Sequence, residues 1–230
     1  MPFLRFLRGG LNLSGPVSGI DVAQLFIAFS VLLFSLTVHE AAHAWTAHRL
    51  GDPTARRQGR VSLNPLVHAD WVGTCLFPLL AVVALHVPPV GWGRAIPVDP
   101  SRWARPRRDA VLVALAGPIS HLVLAILSAG VLAILPVSPV RLGEPNVSVP
   151  IAALLSRAVQ LNLMLAIFHS LPIPPLDGGT IVEEFLPRAA ASRFDRVRPY
   201  ATLLLFAMIG SGAFGYLMLP PYNLLRSWLL

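Results

Sequence analysis

Residues 22–43 read VAQLFIAFSVLLFSLTVHEAAH, an apolar run that contains no charged residue before His39. About 20 apolar residues are enough to cross a bilayer as a helix. Because a helix turns about once every 3.6 residues, His39 and His43 share a face and could bind one Zn²⁺, with Glu40 as general base. Ionisable groups at membrane depth are costly and usually functional. The alternative is a helix end whose polar residues simply meet water at the interface.

The composition is that of an integral membrane protein. Hydrophobic residues make up 55% of the 230 residues and charged residues only 13%, whereas soluble proteins carry about 25% charged residues. The net charge of +7 comes from arginines in loops between apolar segments, which indicates contact with anionic lipid headgroups rather than with nucleic acid. The lipid bilayer is therefore an expected partner. The single cysteine, Cys75, excludes an internal disulfide.

Hydropathy predicts an all-α polytopic membrane protein with four to six transmembrane helices. Four apolar segments are long enough to span, at residues 20–45, 110–136, 151–171 and 201–219. Turn signals around Arg60-Val61-Ser62-Leu63 favour a short membrane-associated β element there. We expect one domain over residues 1–230, which consists of an interfacial segment at 1–18, a core at 20–185 and a C-terminal helix at 201–219.

A fifth apolar segment, residues 71–90, is interrupted by prolines and either spans the membrane or re-enters its own side. The distribution of arginines distinguishes the two topologies. A full crossing places 11 arginines on one side against 6, and a re-entrant segment places 13 against 4. Since positive residues concentrate in cytoplasmic loops, the pattern favours re-entry and a site towards the cytoplasmic side.

A catalytic zinc needs three protein ligands, and His48 lies off the face that His39 and His43 share, so we interpret it as an interfacial residue. Another candidate lies in residues 171–179, which read LPIPPLDGG. The prolines break the helix, and unwound backbone at membrane depth is tolerated where it lines a cavity. From the residues alone, Asp177 is explained equally well as a metal ligand and as the cap of a following helix.

The chain resembles the site-2 protease family of intramembrane zinc metalloproteases, and looks most like its compact prokaryotic members without an appended PDZ or CBS domain. Four segments carry the resemblance in order: HEAAH at 39–43, GRVSLNP at 59–65, AGP at 116–118 and PIPPLDGG at 172–179. The resemblance implies one Zn²⁺ per chain bound by His39, His43 and Asp177, with Glu40 as general base. The substrate class that it implies is a transmembrane segment of another protein.

Two positions depart from the family's pattern. The family usually has Asn where this chain has His121, and Asn where this chain has His169. The second Asn is thought to support the substrate carbonyl or oxyanion, and a neutral histidine could donate the same hydrogen bond, so His169 is a candidate catalytic residue. It could also be an extra ligand or mark a weakened enzyme. The roles of His121 and His68 stay open.

These observations predict an intramembrane zinc endopeptidase, a multi-pass protein of the cell membrane with a single metalloprotease domain. The alternative is a non-proteolytic metal-binding membrane protein, either a transporter or an inactive homologue. The glycine-rich stretch at 210–215 matches a dinucleotide-binding fingerprint, but it lies in an apolar segment where close helix packing explains it better. The sequence does not specify an oligomeric state.

Overall fold

The computed structural model describes residues 22–83, 91–135, 148–211 and 213–229. Within these ranges nine α-helices follow one another in chain order. They are α1 (Val22–Arg49), α2 (Thr54–Arg57), α3 (Pro65–His68), α4 (Phe77–Val83), α5 (Pro106–Ile134), α6 (Ser148–His169), α7 (Asp177–Phe185), α8 (Arg188–Ser211) and α9 (Ala213–Leu229). A π-helical stretch, Trp71–Leu76, precedes α4, and a 3₁₀ turn, Pro100–Arg102, precedes α5.

Three of the described helices, α1, α5 and α6, are long and apolar enough to cross a membrane. An all-α membrane protein is therefore confirmed, but the predicted count of four to six spanning helices is not confirmed within the described residues. The predicted C-terminal helix at 201–219 lies within α8, which begins earlier, and α9, which ends later, and these helices are described on either side of residue 212. The predicted interfacial segment at 1–18 lies outside the described residues.

The core lies where α5 and α6 pack together, with α9 covering them on one side. Ala125 and Ala129 of α5 are small enough to let Val159 and Leu163 of α6 approach, and Tyr222 of α9 closes the same cluster. On the other side, α1 packs on α6 through a separate cluster that contains Leu32, Leu36 and Leu165. The three long apolar helices thus form one bundle, and α1 lies beside both of its partners.

The predicted β element at residues 60–63 is not confirmed, because the structure describes these residues as irregular chain with a bend and no strand. The described residues provide no neighbouring strand with which they could pair. Instead, the buried guanidinium of Arg60 donates hydrogen bonds to the backbone oxygens of Val67 and Arg94. A side chain therefore supplies the hydrogen bonds that a strand ladder would have supplied.

The segment predicted to re-enter begins with six π-helical and seven α-helical residues, which together reach at most about 20 Å at 1.5 Å per residue. That is short of the bilayer's hydrocarbon core of about 30 Å. The backbone N–H of Trp92 donates to the carbonyl of Gly73 at 3.2 Å, so the chain comes back to the start of the segment. Residues 84–90 lie outside the described ranges.

Residues 50–76 and 91–105, which we call the connector, link α1 to α5 and are tied together by Asp52. This buried carboxylate accepts from the backbone N–H of Thr54 at 2.9 Å and from that of Asp99 at 2.7 Å. Burial alone would raise the pKa of Asp52, but the hydrogen bonds from Thr54 and Asp99 outweigh burial and hold the pKa below its ordinary value. Asp52 therefore joins the two parts of the connector as a carboxylate.

Candidate metal centre

The last turns of α1 carry the two predicted histidine ligands and the predicted base. His39, Glu40 and His43 are all buried, with exposed fractions of 2%, 9% and 6%. The Nε2 atoms of His39 and His43 lie 2.9 Å apart, as the four-residue spacing on one helix face requires. The structure therefore brings this part of the predicted site together inside the bundle.

Asp177 lies far from the two histidines in the sequence, but its carboxylate contacts their Nε2 atoms. Its Oδ1 lies 3.2 Å from His43 Nε2, and its Oδ2 lies 3.4 Å from His39 Nε2. Asp177 is the first residue of α7, the preceding Leu176 is the N-cap, and no side-chain cap hydrogen bond forms there. Of the two explanations that the sequence left open, the geometry favours a ligand over a cap.

The turn before α7 is tight, and two glycines make it so. A Cβ at Gly178 would lie 2.2 Å from the carbonyl oxygen of Ser170, and a Cβ at Gly179 would lie 2.7 Å from the nitrogen of Pro174. Real Cβ atoms essentially never come that close, so only glycine fits at either position. The two glycines thus let the chain fold back from the end of α6 and bring Asp177 to the histidines.

One face of α5 supports the histidines, with one contact on each of two successive turns. His43 Nδ1 donates to the backbone oxygen of Val113 at 2.6 Å, which leaves the lone pair of Nε2 facing the site. One turn later, a Cβ at Gly117 would lie 2.3 Å from His39 Cε1 and 2.4 Å from His43 Nε2. The absence of a side chain at Gly117 therefore lets α1 and α5 approach at the level of the site.

The two departures from the family's pattern lie beside the same centre. His169 Nδ1 is 3.0 Å from Asp177 Oδ2, so this histidine contacts the carboxylate directly. His121 is fully buried, and its Nδ1 is 2.9 Å from Oδ1 of Asn162. The sequence analysis missed Asn162, although an amide inside the apolar run of α6 was a signal that could have found it.

The connector covers Glu40. A Cβ at Gly93 would lie 3.2 Å from Glu40 Cγ and 3.4 Å from the backbone oxygen of His68. His68 itself is buried, its Nε2 donates to the backbone oxygen of Ser62 at 2.9 Å, and burial lowers its pKa below the ordinary value. His68 therefore fixes the connector beside the site, and Gly93, which the sequence analysis missed, admits the connector close to the base.

The donor set fits a zinc ion. One ligand atom each from His39, His43 and Asp177 lie within 4.8 Å of one another, and two imidazoles with one carboxylate are ligands that zinc prefers. Three protein ligands also leave a coordination position free, as in catalytic zinc sites. His48 instead has its Nε2 2.6 Å from a guanidinium nitrogen of Arg56 and belongs to neither histidine group found among the described residues.

Comparisons with known proteins agree with this chemistry. The chain is 34% identical to the “Putative zinc metalloprotease YwhC” of Bacillus subtilis over 86% of this chain and 87% of that protein. It is 33% identical to the “Putative zinc metalloprotease Rip2” of Mycolicibacterium smegmatis over 74% of this chain, and 29% identical to that of Mycobacterium tuberculosis over 76%. The matches cover 61% and 63% of those two Rip2 proteins.

Two further comparisons found nothing similar. A scan against protein-family models finds no match, and no solved structure matches the chain.

Proposed function

The chain belongs to the site-2 protease family of zinc metalloproteases, and on that premise we propose that it hydrolyses peptide bonds in or near the transmembrane segments of other membrane proteins. The observation that carries the proposal is the meeting of His39, Glu40, His43 and Asp177 inside a bundle of apolar helices. A soluble substrate would not reach a site enclosed by apolar helices, whereas a membrane-embedded peptide would.

When bound by His39, His43 and Asp177, zinc supplies Lewis-acid chemistry, because it polarises a carbonyl and acidifies water. Glu40 follows directly after His39 on the last turns of α1. Its carboxylate would accept a proton from the attacking water and deliver that proton to the leaving amine, as a general base and then a general acid. The buried position of Glu40 suits this role, since it limits competing contacts with bulk water.

His169 is proposed to act on the same substrate group from the side of α6. Its Nδ1 donates to Asp177, so its Nε2 would donate to the developing oxyanion only when the ring carries both protons. If His169 supports the developing oxyanion, His169→Ala should lower turnover by about 10²–10³ and leave the zinc of His39, His43 and Asp177 in place. His169→Asn should restore much of the rate, because its amide also donates a hydrogen bond. Unchanged turnover in His169→Ala would contradict this role.

The proposed setting is a multi-pass protein of the cell membrane with the metal centre towards the cytoplasm. The arginine balance of 13 against 4 supports that orientation when residues 71–90 re-enter their own side. The return of Trp92 to Gly73 is what a re-entrant segment requires. Cysteine labelling from each side of the membrane near Arg60 and Arg102 tests this topology, and labelling from opposite sides would overturn it.

The central experiment is Glu40→Gln in cells and in the purified protein. The variant should keep its zinc content, because Glu40 is not among the ligands, and turnover should fall by at least about 10²–10⁴ without the base. Membrane proteins whose fragments disappear in the Glu40→Gln strain are the substrates. The matched control is Glu183→Gln, which removes a distant carboxylate that pairs with Arg198 and should leave cleavage unchanged.

The rival function is metal binding without proteolysis, by a transporter or an inactive homologue. A transporter does not need a general base, so Glu40→Gln would leave zinc flux into proteoliposomes intact. Wild-type cleavage rates in Glu40→Gln would contradict the proposed mechanism. Zinc flux that persists in this variant, with no fragment lost, would favour the rival.

A further inference from the structure

Three imidazole rings meet on the side of His39 that faces α5 and α6. The ring centroid of His39 lies 4.9 Å from that of His121 and 4.2 Å from that of His169, and those two lie 5.6 Å apart. One ring nitrogen from each histidine lies within 4.8 Å of the others. This set shares only His39 with the His39–His43–Asp177 set, and the proposed hydrolysis leaves His121 without a role.

The orientation of the Asn162 amide determines which ring nitrogen of His121 carries the proton. The side-chain nitrogen of Asn162 donates to the backbone oxygen of Ala158 at 2.9 Å, so its Oδ1 is the atom that faces His121 and can only accept. His121 Nδ1 therefore carries the proton and donates it to Asn162. The Nε2 of His121 is left with a lone pair, is buried, and has no hydrogen-bond partner among the described residues.

His169 is oriented in the same way. A carboxylate is an acceptor, so His169 Nδ1 donates to Asp177 Oδ2 across 3.0 Å and its Nε2 carries the lone pair. A metal-binding histidine usually donates its other ring nitrogen to a carboxylate, carbonyl or similar group, which fixes the ring for binding. His121 with Asn162, and His169 with Asp177, both follow that pattern.

His39 has one ring nitrogen in each set. Its Nε2 faces His43 and Asp177, while its buried Nδ1 lies against Gly117 and forms no well-directed hydrogen bond in the part of the chain that the structure describes. A buried polar nitrogen without a partner is costly and calls for a ligand. Imidazole ligands suit zinc, copper and nickel, and an all-histidine set favours these late first-row metals over magnesium or calcium.

We propose that His39, His121 and His169 bind a second late first-row divalent metal ion, with His39 bridging it to the zinc held by His43 and Asp177. Binding of the second ion displaces the Nδ1 proton of His39 to solvent, and His121 and His169 bind through their Nε2 lone pairs. The ion then ties α1, α5 and α6 together at one level. This site goes beyond the proposed peptide-bond hydrolysis and does not depend on it, and while the second ion is bound, His169 Nε2 is not available to the scissile carbonyl.

The test is the metal content of the full-length chain, purified in detergent, stripped with a chelator and titrated with Zn²⁺. Elemental analysis should find about two zinc ions per wild-type chain at saturation and about one in His121→Asn. Asn162→Ala should keep the first ion and weaken the second by about 10–100-fold, as expected for loss of an orienting partner. His48→Asn is the matched control, since His48 pairs with Arg56 outside both sets, and it should still bind two.

A spectroscopic readout separates binding from folding. Chain loaded with one equivalent of Zn²⁺ and then with Co²⁺, which binds such sites less tightly than zinc and therefore does not displace it, should show the visible absorption of bound Co²⁺, and this absorption should disappear in His121→Asn and in His169→Asn. Zinc retained at one per chain shows that each variant is folded at the first set.

Three results would overturn the proposal. Wild-type chain that saturates at one zinc would mean that water or a hydrogen bond satisfies these nitrogens. Two ions retained in both His121→Asn and His169→Asn would place the second ion elsewhere. Loss of both ions from His121→Asn, in a chain that circular dichroism finds folded, would make His121 a support for His39 and not a ligand.

Discussion

The metal centre and the connector differ in what holds them in place. The centre is built from long helices, and its ligand atoms meet because α1, α5 and α6 pack closely at Gly117 and because α7 starts beside α6. The connector has little regular structure. Buried polar side chains hold it instead, among them Asp52, Arg60 and His68, each bonded to backbone groups of neighbouring turns.

The difference matches two physical demands that the proposed proteolysis within a membrane would make. A metal site requires its ligand atoms to stay within tenths of an ångström, and close-packed helices provide that rigidity. Water and a substrate must also reach Glu40, which the connector covers at Gly93. Individual hydrogen bonds contribute only about 0.5–1.5 kcal/mol each, so the connector is held by separate weak bonds rather than by close helix packing.

The largest effect is expected from Gly117→Ala, which tests whether close helix packing places the ligands. Its Cβ would come within 2.3–2.6 Å of atoms of His39 and His43, so α5 or the histidines must shift. We expect zinc affinity to fall by about 10–100-fold, as when a supporting neighbour of a metal ligand is lost, and turnover to fall with it. A zinc titration by isothermal calorimetry measures the first effect, and a cleavage assay measures the second.

Gly130→Ala is the matched control on the same helix. No atom lies within 4 Å of the Cβ that this change adds, and alanine is about 1 kcal/mol more favourable than glycine inside a helix. Zinc affinity should therefore stay at the wild-type value. If Gly117→Ala also bound zinc normally, close packing of α1 on α5 would not be what places the ligands.

A smaller effect is expected from Asp52→Asn in the connector. The substitution puts an amide donor where Asp52 Oδ2 accepts from the backbone N–H of Asp99, and a buried mismatch of this kind costs about 1–3 kcal/mol. The midpoint of thermal unfolding should fall, while zinc affinity should change little. Loss of zinc from Asp52→Asn would mean that the connector and the centre are not separable.

The pH dependence of the unfolding midpoint tests whether the charge of Asp52 is what stabilises the connector. The pKa of Asp52 lies below its ordinary value in the folded chain, so ionised Asp52 stabilises the fold above about pH 3.9. That stabilisation is lost as the pH falls through the folded-state pKa. The difference in unfolding midpoint between wild type and Asp52→Asn should be full at pH 7 and shrink in acid below about pH 4. A difference that does not change with pH would exclude the carboxylate charge as its source.

The smallest effect concerns the contact between the two regions. In Gly93→Ala the added Cβ would lie 3.2 Å from Glu40 Cγ, tight enough to displace the connector by a few tenths of an ångström. Since a misplacement of about 1 Å can cost 10²-fold in rate, we expect turnover to fall by about 2–10-fold with zinc content unchanged. A rate above the wild-type value would instead mean that the wild-type contact restrains the base.

The features that the sequence predicted best are those set within a single helix. The spacing of His39 and His43 is a property of one helix, and the structure brings the two rings together as that spacing requires. Asp177 stayed ambiguous from the residues alone because its role depends on how the turn after α6 folds back. Val113, Gly93 and Asn162 were missed, since a backbone carbonyl, a close approach and a hydrogen bond between helices leave no local pattern.

A prediction that the structure does not confirm has the same cause. The predicted strand at residues 60–63 was inferred from flanking turn residues, but its backbone has no neighbouring strand among the described residues and Arg60 takes over the bonding. The helix predicted at 201–219 stays a prediction, because its residues lie in α8 and α9 on either side of residue 212, which is outside the described ranges. At residues 60–63, contacts made elsewhere in the fold, rather than the segment itself, decide the outcome.

The wide separation of the ligands along the chain also governs when the protein can become active during its synthesis. His39 and His43 leave the ribosome in the first spanning helix, but Asp177 follows the last of the three. A nascent chain therefore cannot complete its ligand set until the whole bundle has entered the bilayer. Chains shorter than this would lack the proposed activity, and metal uptake becomes possible while α8 and α9 are still to be made.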